Sequence, residues 1–274
     1  EHNEISNKEV NTGYCYQTLE YHINVPEETT TRYIRKRVIS SDGLQACGNI
    51  SIKFDPTYQK LNIHAVNVVR KGKTNSRLSS NSFNVIQQER SSESYIYDGE
   101  LTAFCILDDI QVGDEIDFCY TIIGRNPLEN GRFASLYYLS FSEPIGEITY
   151  RLTVSASDSI NIKSPLYDKP ADVTKNGSKR TYNWRLVNAA VTKYDDEAMH
   201  GYDPYPRIEV SSYNNWSQVA EWAIPHYDTS IPSGTSLAKW VEDQEAQDIG
   251  TTQKIRNAIT MVQQEIRYLG LEAG

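Results

Sequence analysis

Between Gly13 and Gly201 the chain repeats one pattern, a short run of alternating apolar and polar residues closed by a turn-forming residue. A period of two puts successive side chains on opposite faces of an extended strand, so this part is confined to sheets with one face buried. Residues 14–23 alternate, and residues 31–40 do so again before the turn dipeptide Asp42-Gly43. Residues 48–54 carry Ile50, Ile52 and Phe54 on one face and end at Asp55-Pro56; residues 60–70 offer Leu61, Ile63 and Ala65 ahead of Lys71-Gly72-Lys73. Strands are also expected over 83–86, 95–97 and 101–107. A Gly113-Asp114 corner then leads into 115–123, with Ile116, Phe118, Tyr120 and Ile122 on one face. Residues 133–141, 145–156 and 180–184, the last with Trp184 pointing inward, bring the count to roughly ten at the spacing of an all-β sandwich. No strand-helix-strand period occurs before residue 200. The expected class is therefore mainly β, an antiparallel immunoglobulin-like β-sandwich.

The side chains that could carry chemistry are sparse. A net charge of -9 argues against a nucleic-acid partner, which needs clustered Lys and Arg. The basic run Arg32 to Arg37, interleaved with Tyr33 and Ile34, reads as the solvent face of a strand. Nowhere do ~18 consecutive apolar residues suggest a membrane span, and no charged-then-apolar leader opens the chain; an export signal or anchor would lie outside it. Cys15, Cys47, Cys105 and Cys119 sit singly in strand-like sequence, compatible either with disulfides or with buried free thiols. His64 lies opposite Leu61 and Ile63 and reads as a hydrogen-bonded surface residue. Asp108, Asp109, Asp114, Glu115 and Asp117 lack the spacing of a calcium loop and read as a solvated corner. No residue is singled out as catalytic, cofactor-binding or metal-ligating.

Near residue 200 the pattern changes. Residues 200–212 form a proline-punctuated extended linker, and three helices follow. The first is capped by Asn214 or Asn215, carries Trp216, Val219, Ala220 and Trp222, and stops at Pro225. A second, over 233–245, places Leu237, Trp240 and Val241 on one face. The third, from Thr251, aligns Ile255, Ile259, Val262, Ile266 and Leu269 until Gly270 and Gly274 break it. So short a segment cannot bury that much apolar surface alone, and Val262, Ile266 and Leu269 are expected to stay partly uncovered. The expected division is a sandwich over 1–204 and a helical part over 205–274.

The junction Asp203-Pro-Tyr-Pro206-Arg-Ile-Glu-Val-Ser-Ser, continuing to Trp216 and Trp222, resembles one found in bacterial transglutaminase-like, papain-related proteins. In these an uncharacterised N-terminal β-sandwich domain (domain of unknown function 3857) precedes the core. Phe54-Asp55-Pro56, Val69-Arg70-Lys71-Gly72-Lys73, Val112-Gly113-Asp114 and Arg125-Asn126-Pro127 are similar to that family's turns, and Val262 through Ile266-Arg267-Tyr268-Leu-Gly270 to its pre-catalytic helix. The resemblance implies that 205–274 begins an α+β transglutaminase-like core. It implies a Cys-His-Asp triad whose nucleophile sits in a Gly-Asp-Cys segment beyond that helix. None of the four cysteines has that context. The implied role is the non-catalytic N-terminal region of an exported, periplasmic cysteine hydrolase or acyltransferase of the bacterial envelope. Its partners would be the rest of its own core and a peptide, protein or glycan substrate. The alternative is a non-enzymatic binding module for glycan, peptide or protein, with 95–97 and 136–138 as aromatic platforms.

Overall fold

The computed structural model describes residues 5, 10–79, 82–87, 96–97, 99–192, 203–227, 233–265 and 270–271. Tyr95, Ile266 and Leu269 lie outside them. The strands are β1 (Tyr14–Asn24), β2 (Thr29–Val38), β3 (Asn49–Phe54), β4 (Lys60–Arg70), β5 (Lys73–Ser76), β6 (Asn84–Gln87), β7 (Ile96–Tyr97) and β8 (Leu101–Ile106). They continue with β9 (Glu115–Ile123), β10 (Ala134–Tyr138), β11 (Ile145–Ser155), β12 (Asn161–Lys163), β13 (Asp172–Asn176), β14 (Lys179–Ala189), β15 (Arg207–Ser211) and β16 (Gly270–Leu271). The helices are α1 (Leu44–Gly48), α2 (Trp216–Ala223), α3 (Ser236–Glu245) and α4 (Thr251–Glu265).

The protein is mainly β and rich in antiparallel pairing. A long sheet in the order β13-β14-β11-β1-β2-β9-β4-β5 is accompanied by the three-stranded sheets β10-β15-β12 and β3-β8-β6. In the centre of the long sheet β1 and β11 depart from the antiparallel expectation: they run parallel, Thr18 opposite Glu147 and Asn24 opposite Thr153. A parallel pair needs a crossover longer than a hairpin. Here the crossover is everything from β2 to β10, built of strands, so no strand-helix-strand period announces it.

Register decides the faces. Leu19 pairs with Ile34, Ile34 with Phe118, and Phe118 with Val66, while Ile148 flanks Leu19 on the other side. Side chains in one such row share a face, and that face is the one the two small sheets cover. Under β10-β15-β12 lies one core, including Leu19, Tyr137, Ile148, Tyr150, Leu152, Trp184 and Ile208. Under β3-β8-β6 lies another, including Val38, Ile50, Ile52, Val66, Ile116 and Phe118; Ile34 packs against both.

Several of the chain's tyrosines are spent in the first core. Tyr21 meets Tyr137 edge-on at 4.6 Å, Tyr137 stacks on Tyr150 at 4.4 Å, Tyr150 on Trp184 at 5.2 Å and Trp184 on Tyr182 at 6.0 Å. Trp184 is buried, as its place in the alternation predicts. Guanidinium groups close both ends, Arg32 at 4.6 Å from the Tyr21 ring and Arg180 at 5.5 Å from Tyr182. This corrects the reading of the basic run. Arg32 and Lys36 share the inward parity of Ile34, and Lys36 lies over Tyr14 and Tyr16 while donating to the Ala46 carbonyl. Only the alternate residues face out, among them Arg35, which pairs with Glu115.

A bulge makes a second correction. Register shifts between Ile63 and Ala65, so the inward parity passes from Leu61 and Ile63 to Val66 and Val68, and Ala65 leaves the core face. His64, at the bulge, hydrogen-bonds through Nε2 with the Thr121 hydroxyl at 2.7 Å.

Contacts divide the chain into one unit of Glu1–Gln88 with Gly99–Asn214 and another of Glu89–Asp98 with Asn215–Gly274. β15, which sequence assigns to a linker, is the middle strand of a covering sheet. Residues 96–97, expected in the sandwich, instead form β7, which pairs in parallel with β16 in the second unit. In that unit the Asn215 side chain accepts from the Gln218 amide at 3.0 Å to cap α2, and Thr235 caps α3 by accepting from the Ala238 amide at 3.1 Å. No described residue of α2, α3 or α4 is buried: Trp216 is 85% exposed, and Ile255, Ile259 and Val262 are at least half exposed. No helix among the described residues is long and apolar enough to cross a membrane.

Candidate functional site

The acidic corner is an ion-pair network. Asp114 is 1% exposed; it accepts from Arg70 Nε at 2.8 Å and Nη2 at 2.7 Å, and from the Gln111 amide at 2.8 Å. Arg77 donates to both oxygens of Asp109, and Asn67 donates to Asp117 at 2.8 Å. Hydrogen bonds from Arg70 hold the Asp114 carboxyl below the usual carboxylate range. These carboxylates are satisfied by cations and amides, and among the described residues no cluster of His, Cys, Asp and Glu could hold a metal ion.

All four cysteines are free thiols. Burial pushes each upward, Cys47 to about 11, whereas a thiolate nucleophile requires a lowered value.

A concave site in the first unit lies where β10 and β15 run out. Tyr138 ends β10 opposite Arg207, which begins β15, and the Leu139 amide donating to the Pro206 carbonyl at 2.8 Å keeps the two segments together beyond the sheet. Pro204 and Pro206 fix the backbone on either side of Tyr205, and Asp203 Oδ1 accepts from the Tyr205 amide at 3.0 Å, closing an Asx turn. A groove of about 350 Å³ results, lined by Tyr138, Phe141, Pro204, Tyr205, Asp203 and the two serines 140 and 142. The Tyr138 and Tyr205 rings stand at 72° with centroids 5.8 Å apart.

The polar groups of this groove are largely committed. Ser140 donates to the Ala190 carbonyl and hydrogen-bonds with Thr192 at 2.7 Å; Ser142 donates to Glu143 at 2.8 Å. The Tyr138 hydroxyl donates to Asp203 Oδ2 at 3.0 Å, which keeps the phenol protonated and raises its pKa. Arg207 stands behind, 3.4 Å from Asp203 Oδ2 and 2.8 Å from Glu209.

Of the two aromatic platforms expected from sequence, 136–138 contributes one ring here: Tyr138 lines the groove, while Tyr137 belongs to the core and Leu136 is exposed. Phe141, Asp203 and Tyr205 were not singled out. For Asp203 and Tyr205 the signal was the Asp-Pro-Tyr-Pro string itself, a short aromatic segment with its backbone fixed on both sides.

The family described as "Domain of Unknown Function with solved-structure structure (DUF3857)" matches residues 26–192. No curated protein matches the chain. Among solved structures, a proposed protease from Parabacteroides distasonis superposes with a TM-score of 0.72 at 14% identity, over 90% of this chain and 50% of that one. This chain thus spans half the length of that protein, and the likeness is one of fold. An M1 zinc metallopeptidase from Deinococcus radiodurans aligns over 74% of this chain and 43% of that one at 11% identity, with a TM-score of 0.33, too low to carry an argument.

Proposed function

The chain belongs to the DUF3857 family, and from that premise we propose that it is the non-catalytic N-terminal region of a transglutaminase-like cysteine hydrolase or acyltransferase of the bacterial envelope. The first unit positions the core or presents substrate to it, and the helical unit is the start of the catalytic core. The observation that carries this reading is the fold shared with a proposed protease of twice the length. It is supported by the uncovered apolar residues of α4, which need further protein to pack on, and by thiols whose pKa values are shifted away from reactivity. An exported, periplasmic location goes with it.

The test is an amidase assay on acyl-amide substrates. This chain is expected to be inactive. The parent protein is expected to be active and to lose activity when the cysteine of a Gly-Asp-Cys segment downstream of α4 is changed to serine. Alkylation-sensitive amidase activity from residues 1–274 alone, or a parent without such a segment, would contradict the proposal. The second reading, a binding module without catalysis, is favoured by one observation, the aromatic groove at Tyr138 and Tyr205.

A further inference from the structure

We propose that the groove at the end of β10 and β15 is a cation-binding site that takes the ammonium-bearing side chain of a lysine in a peptide. The inference rests on the substrate-presenting role for its biological sense, but binding is measurable in this chain by itself.

Three features of the walls agree on this ligand. First, Tyr138 and Tyr205, whose rings stand edge to face at 72°, and Phe141 give the groove three aromatic residues in its wall. Ring faces carry negative potential and attract ammonium groups. Second, the Tyr138 hydroxyl donates to the Asp203 carboxylate, which pushes electron density into the phenol ring and strengthens that attraction. Third, Asp203 is the only charged residue among the described residues that line the groove, and its side chain is 31% exposed.

Arg207, the cation paired with Asp203, does not cancel this. Its Nε is held by Glu209 at 2.8 Å and its Nη1 reaches Asp203 at 3.4 Å, so one guanidinium serves two carboxylates. Lys163 stands opposite Glu209 in register on β12 and is not part of the wall. The chain's overall charge of -9 adds a long-range attraction of the same sign.

A sugar fits the observations less well. Recognition of hydroxyl groups needs free donors and acceptors, yet both serine hydroxyls are hydrogen-bonded within the protein and each oxygen of Asp203 already accepts at least one bond. What remains open to a ligand is aromatic surface and negative charge. The aliphatic stem of lysine suits Pro204 and Phe141, and its ammonium suits the tyrosine faces beside Asp203.

The experiment is a titration of the chain with the blocked tripeptide Gly-Lys-Gly, with the same peptide carrying norleucine for lysine, and with N-acetylglucosamine, followed by NMR shifts of the tyrosine rings. Lysine peptide is expected to bind at least tenfold more tightly than its norleucine counterpart, with an affinity that falls as salt rises. Asp203→Asn is expected to weaken lysine binding about tenfold while leaving norleucine unchanged. Ser142→Lys, at an exposed position on the wall, adds a competing charge without disturbing packing and is expected to abolish lysine binding, so the test survives if an Asp203 variant misfolds. Equal binding of lysine and norleucine peptides, preferential binding of the sugar, or indifference to Ser142→Lys would overturn the proposal. A lysine preference in this chain beside an inactive parent would refute the hydrolase reading alone; an active parent without lysine preference would refute the site alone.

Discussion

The two units of this chain use apolar residues in opposite ways. In the first, a single sheet face is covered twice, and Tyr150, Leu152, Ile148 and Val66 are wholly out of water. In the second, three amphipathic helices, two of them capped by side chains, bury none of their described residues. Apolar periodicity is therefore satisfied in both units, but among the described residues tertiary burial only in the first. Because tertiary burial supplies most of the stability of short helices, the described residues of the second unit show local order without a buried core.

The largest expected effects attack that contrast directly. Trp184→Ala removes a ring stacked between Tyr150 and Tyr182 and should lower stability by about 3–5 kcal/mol in a denaturant titration. Ile259→Ala, removing a similar aliphatic role in α4, should stay within about 0.5 kcal/mol. A comparable cost at both positions would show that α4 is packed after all.

A smaller effect tests the ion pair at the end of the second core. Asp114→Ala leaves the Arg70 guanidinium without its carboxylate and should cost about 2–3 kcal/mol. The pH dependence has a definite sign. The Asp114 carboxyl titrates lower in the folded than in the unfolded chain, so its contribution is fully present above the ordinary aspartate value of about 3.9 and is lost as pH falls through the lower, folded value. Asp114→Asn should flatten the loss of stability across that acid window, seen in thermal melts. An unchanged acid limb would mean that other carboxylates dominate.

The smallest effect concerns the thiols. With Cys15, Cys47 and Cys105 buried and shifted upward, a disulfide reagent at pH 7 should leave these three unmodified in the folded chain and modify them after denaturation. Fast native labelling of Cys47 would contradict its burial.

The strands were legible because alternation reports burial on one face, and Trp184, Ile116 and Phe118 lie where alternation put them. Three things were not. The parallel pairing of β1 with β11 depends on a crossover of more than a hundred residues, which no local pattern encodes. The bulge at His64 changes which face Ala65 and Val66 take, through one extra residue with no composition signal. The inward turn of Arg32 and Lys36 depends on tyrosines from β1 that offer their rings to half-buried cations, so charge alone misleads about direction. The groove was half legible: Tyr138 was among the aromatic candidates, while Asp203 and Tyr205 sat in a stretch read as a linker because prolines usually mark one.

Native-state hydrogen exchange is the measurement that bears most directly on the contrast between the units. The amides of Tyr150 and Leu152 in β11 are predicted to exchange only through global unfolding, and those of Ala258 to Met261 in α4 at least roughly a hundredfold faster, through local opening. Equal protection of α4 and β11 would contradict the account, because it would require α4 to share a core whose burial the first unit alone displays.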